Sequence, residues 1–150
     1  MKKILFLFFL LCGHLHALEK ESTLKMYHNI FFALSSKIIV SVYVSDKEYK
    51  DVFMYSKKIF LVNEPNEADI VLITDKKTLL DLMSRDIYTT STKTPILFVT
   101  DYRLLKEDAR IVGAFYWKKG RSQLLFIRSR LKKYGLLLPY EHQKFIIDEL

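Results

Sequence analysis

The chain has 150 residues, half of them hydrophobic and 14% aromatic, which is enough for one packed domain and too apolar for wholesale disorder. Its 24 basic and 17 acidic side chains give a moderate net charge of +7, spread over the chain rather than gathered in a tail. A single cysteine excludes a disulfide framework, and the sparse glycines exclude a P-loop, a dinucleotide fingerprint and a Gly-x-Ser-x-Gly nucleophile elbow.

The first segment reads as an address. Lys2 and Lys3 precede an unbroken apolar run, Ile4–Leu11, and small residues follow at Gly13 and Ala17. That pattern predicts a Sec signal peptide over residues 1–17, cleaved near Ala17, and an exported product. The run is too short to cross a bilayer as a helix, which takes about 20 residues, and it has no polar face to suit a cytosolic amphipathic helix. Lipidation at Cys12 is the alternative, but Leu10 and Leu11 stand where a lipoprotein signal wants small residues. Cleavage would remove the only cysteine, so core packing alone would hold the exported chain together.

Downstream, Glu19–Ser35 has Leu24, Tyr27, Ile30, Phe31 and Leu34 on one stripe, the spacing of an amphipathic helix that Ser35-Ser36 ends. Ile38–Val44 follows as a strand, Ser45-Asp46 opens a helix reaching about Tyr55, and Lys57–Val62 is a second strand. Pro65 lies in a turn-rich link. Ala68–Asp75 (ADIVLITD) is apolar on both faces, as a central parallel strand must be, and its helix is Lys76–Arg85. Thr89–Thr94 reads as a polar loop, Pro95–Thr100 as a strand, and Tyr102–Glu107 as a short helical segment. Arg110–Trp117 and Ser122–Arg128 are strand-like and joined by Lys118-Lys119-Gly120-Arg121, a loop of hairpin length, so they are antiparallel. A helix over Ser129–Tyr134 stops at Gly135, and Tyr140–Leu150 is expected to be a last helix.

These elements predict an α/β domain over residues 18–150. Its doubly wound, Rossmann-like, mostly parallel sheet would hold about six strands in the order 2-1-3-4-5-6, the last two an antiparallel hairpin at one edge.

Three groups of side chains carry the functional expectations. Asp46, Asp75 and Asp101 each follow Ser or Thr just past a parallel strand, where open α/β sheets hold ligands. Capping of the following helix explains that repeated placement best, and a ligand floor or a carboxylate-based metal-dependent hydrolase explains it less well. His28 and His142, far apart and without cysteine, do not make a zinc set. The third group is basic and aromatic: Trp117, Lys118, Lys119, Arg121, Arg128 and Arg130, with Lys132, Lys133, Phe115 and Tyr116 close by. Such a mixture suits a protein interface or an anionic membrane surface, while export argues against nucleic acid. A solvated hairpin end backed by core aromatics is the plainer reading of the same residues. No catalytic constellation, cofactor motif or metal set emerges, so a non-enzymatic binding protein is expected.

In the order of its features the chain resembles the YfiR-like family of small exported proteins. The matching features are the signal segment, the amphipathic helix Leu24–Leu34, the proline-led strand Pro95–Thr100, the hydrophobic hairpin Ile111–Ile127, and the basic helix reaching a Gly-Leu step at Gly135-Leu136. Ser35-Ser36 stands where that family often has Trp-Pro, and Ile127-Arg128-Ser129 where it has Ile-Asn-Leu. The resemblance implies a periplasmic regulator that binds the periplasmic part of an inner-membrane signalling protein, a diguanylate cyclase of cyclic-di-GMP signalling or a kinase. A periplasmic small-ligand-binding protein is the other reading. A homodimer formed through the free hairpin edge is compatible with either.

Overall fold

The computed structural model describes residues 2–85 and 93–150, with side chains from residue 19 onward. Most of the expected polar loop at Thr89–Thr94 lies outside those residues. The chain order is α1 (Lys2–Ser35), β1 (Val40–Val44), α2 (Lys47–Phe53), β2 (Ile59–Leu61), β3 (Ile70–Ile73), α3 (Lys76–Ser84), β4 (Ile96–Val99), β5 (Ile111–Lys118), β6 (Arg121–Ile127), α4 (Arg128–Lys133) and β7 (Ile146–Ile147). Short 3₁₀ turns fill the links at Pro65–Glu67, Tyr102–Lys106 and Tyr140–Phe145. No helix among the described residues is long and apolar enough to cross a membrane.

The fold is α/β and Rossmann-like. One seven-stranded sheet runs β2-β1-β3-β4-β5-β6-β7, parallel from β2 through β5 and antiparallel between β5 and β6. β3 is buried at all four positions, as its two-faced apolar sequence requires.

Two apolar clusters cover the faces. On one, Tyr27, Ile30, Phe31 and Leu34 of α1 pack with Val52 and Phe53 of α2 onto Val40, Val42, Ile70, Leu72 and Phe98. On the other, Leu79 and Leu82 of α3 meet Val71, Ile73, Leu97, Val99 and Ile111. The stripe read from the sequence of α1 is the face that is buried. Ser36, at φ 55°, ends α1 as the Ser-Ser pair predicts. The connection from β2 to β3 carries only a 3₁₀ turn and no crossing helix, so the α3-side face of β2 stays bare and Phe60 is exposed.

At the hairpin, Lys118 pairs with Arg121 across Lys119 and Gly120, both at positive φ (51° and 74°), the signature of a two-residue type I′ turn. Further along β5 the backbones crowd. A Cβ on Gly113 would sit 2.5 Å from the Leu125 carbonyl oxygen and 2.8 Å from Phe126, so only glycine fits there.

The last stretch differs from expectation. Tyr140–Leu150 is not a helix: a 3₁₀ segment, Tyr140–Phe145, leads into β7, which pairs parallel with Phe126 and Ile127 at the end of β6. Partly buried Phe145 and Ile146 pack against the α1-side core, which favours an extended strand over a free helix. The hairpin is therefore not the outermost pair at that edge; a seventh strand lies beyond the inner end of β6.

Candidate functional site

The three strand-end aspartates are helix caps. Asp46 Oδ1 accepts from the backbone N–H groups of Glu48 (2.8 Å) and Tyr49 (3.2 Å). Asp75 Oδ1 accepts from Thr78 N (2.8 Å), and Oδ2 from the Thr78 hydroxyl (2.9 Å). Asp101 accepts from Arg103 N (2.9 Å) and, with both oxygens, from its guanidinium. These donors hold two of the carboxyls below the usual range, Asp75 chiefly through the Thr78 backbone N–H and Asp101 chiefly through the Arg103 side chain. Among the described residues no three His, Cys, Asp or Glu side chains stand close enough to hold a metal ion. His28 packs edge-on against Phe32, and His142 lies near the Phe126 and Phe145 rings.

A ligand-sized space does exist at the carboxyl edge of the sheet, but the aspartates do not line it. It is a cleft of about 210 Å³ between the middle of α1, the first turns of α2 and the end of β5. Glu19, Lys20, Thr23, Met26 and Tyr27 form one wall, Glu48, Tyr49 and Val52 the second, and Thr100, Phe115 and Trp117 the rest. At its base the Tyr27 hydroxyl donates to that of Tyr49 at 3.4 Å, and the two rings meet edge to face with centroids 5.5 Å apart. Burial pushes both phenols up, Tyr27 the more strongly, so they are neutral hydrogen-bonding groups. Tyr27 also touches Phe53 and Phe115 edge-on, which fixes the floor as a rigid aromatic block.

The basic-aromatic group divides between several sites. Alternation along β5 sends Phe115 and Trp117 toward the cleft, and Tyr116 and Lys118 to the opposite face. There the Tyr116 ring lies 4.8 Å from that of Tyr102, and Lys118 Nζ sits 5.4 Å above the Tyr102 ring. Lys119 and Arg121 are exposed on the turn, and Trp117 is 68% exposed. Arg128 leaves this tip, because its Nε donates to Asp148 just after β7. Arg130 also leaves it: its guanidinium turns inward and donates to the carbonyls of Leu105 (2.9 Å), Asp108 (3.0 Å) and Ile111 (2.8 Å). It bolts α4 to the turn before β5. Lys132 and Lys133 are exposed on α4, with Lys132 beside a shallow groove formed by Leu131, Leu136 and Leu138.

Sequence reasoning named Trp117 and Phe115 but missed the cleft they border. Tyr27 lies on the apolar stripe of its helix, yet nothing local says that a second helix lays Tyr49 beside it.

The chain matches no family model, no curated protein and no solved structure. The YfiR-like resemblance thus rests on the order of features in this chain alone.

Proposed function

We propose that this protein is a non-enzymatic binding protein that engages a partner protein through the free end of its β5–β6 hairpin. One observation carries the reading. Trp117, a large apolar side chain, is held 68% exposed at the end of a well-paired strand, beside Lys118, Lys119 and Arg121 on a type I′ turn. Tryptophan and arginine are among the residues that carry most of the binding energy at protein interfaces. The surrounding cations favour an acidic partner surface. The YfiR-like resemblance suggests the partner class: the periplasmic part of an inner-membrane signalling protein, a cyclase or a kinase, restrained by this chain after export.

Photo-crosslinking from position 117 in intact cells tests the proposal. Capture of a membrane signalling protein, lost in the Lys118→Glu, Lys119→Glu, Arg121→Glu triple variant, supports it. Crosslinking unchanged by that triple reversal sinks the hairpin surface. Binding that depends equally on anionic vesicles alone would reassign the patch to a membrane surface.

A further inference from the structure

We infer that the cleft beneath α1 is a binding site for a small organic cation, a ligand with an ammonium group on an apolar body. The inference goes beyond partner docking and does not depend on it.

The chain as a whole is basic, yet this wall is not. Its charged groups are the carboxylates of Glu19 and Glu48 and one ammonium, Lys20. Among the described residues Glu48 makes no ion pair. The uncharged part of the wall is electron-rich: Tyr49, Phe115 and Trp117 offer aromatic groups, and Met26 a thioether. Ring faces attract ammonium groups strongly and carboxylates not at all, and a nearby carboxylate adds to that preference. Below them the Tyr27 and Tyr49 hydroxyls and the Thr23 and Thr100 side chains provide neutral hydrogen-bonding partners. A space of about 210 Å³ suits a ligand of one ring or a short chain. The floor is preformed, because Tyr27 is locked among Tyr49, Phe53 and Phe115. Trp117 supplies the exposed outer wall, and it is the only tryptophan in the chain. Occupancy of the cleft is therefore readable in its emission alone.

Three probes sharing one phenyl ring separate charge from apolar fit: phenethylammonium, 2-phenylethanol and phenylacetate, each titrated against the full chain while Trp117 fluorescence is followed. Phenethylammonium is expected to give a saturable change at a concentration about tenfold lower than 2-phenylethanol, with phenylacetate weakest. Glu48→Gln, checked for an unchanged melting temperature, is expected to weaken phenethylammonium about threefold and to leave 2-phenylethanol unaffected. Equal binding of the ammonium and the alcohol, tighter binding of phenylacetate, or no saturable change with any probe overturns the assignment. Because no partner is present in the titration, its failure leaves the hairpin proposal standing, and loss of crosslinking leaves the cleft standing.

Discussion

Ser41 and Asp69 hold the amino ends of β1 and β3 together by exchanging hydrogen bonds in both directions. The Ser41 backbone N–H (2.9 Å) and hydroxyl (2.8 Å) both donate to Asp69 Oδ2, while Asp69 N–H donates back to the Ser41 hydroxyl oxygen at 2.9 Å. Lys37 and Lys93 close on the other oxygen, Oδ1. Asp69 is only 7% exposed. Burial alone would raise its carboxyl, but the donors from Lys37, Lys93 and Ser41 outweigh it and hold the group far below the usual carboxylate range.

A depressed carboxyl stabilises the fold above its unfolded value of about 4, and that contribution fades as pH falls below it. Asp69→Asn is expected to cost about 2–3 kcal/mol at neutral pH, because it leaves two ammonium groups without their shared anion. The deficit should narrow as pH drops from about 4 toward 2. Guanidinium melts of both proteins at pH 7 and pH 3 check this, and a gap that is constant with pH would show that Asp69 stabilises by shape alone.

Gly113→Ala is expected to lower stability by about 1–3 kcal/mol, since the added methyl must displace either the Leu125 carbonyl or the packed Phe98 and Phe126 rings. The same exchange at Gly120, where nothing lies within 4 Å, acts only through its φ of +74° and costs less. Thermal melts of the two variants side by side decide the order.

Lys119 adopts a left-handed backbone that a side chain with a full Cβ dislikes. Lys119→Asn fits the first central position of a type I′ turn and is expected to raise stability by about 0.5–1 kcal/mol. If the hairpin end is the docking surface, the same variant should weaken partner capture while the fold grows firmer. A melting temperature that falls instead would contradict the turn assignment.

Arg130→Lys is expected to behave much like Arg130→Met, each losing about 2–3 kcal/mol, because a single ammonium cannot span the carbonyls of Leu105, Asp108 and Ile111. Near-wild-type stability of the lysine variant would argue that the charge matters and the fork does not. For the cap at Asp75, Asp75→Ala should cost about 0.5–2 kcal/mol and Asp75→Asn less, with no response of the melting temperature to magnesium or calcium.

The strands, the hairpin and the caps were legible because each is written locally. A run apolar on both faces marks β3, Ser/Thr-Asp marks a helix start, and Lys119-Gly120 marks a tight turn. The end of the chain was not legible. Phe145-Ile146-Ile147 is too short to show a period of two, and its partner, β6, lies about twenty residues back in a register only the assembled sheet reveals. The role of Arg130 was hidden for a similar reason: backbone carbonyls have no sequence, so three of them converging on one guanidinium leave no motif. The cleft depends on the angle at which α1 and α2 cross the same face, and periodicity fixes which residues point inward without fixing whom they meet.

The bare flank at β2 sets how this molecule breathes. Three residues long, joined to β1 on one side and uncovered at Phe60, β2 can detach by events far smaller than those needed to release the fully enclosed Ile70–Ile73. Its amides should trade their hydrogens with solvent first, from that rim inward. One border of the sheet can thus loosen while the strands beneath the tyrosine pair stay shut.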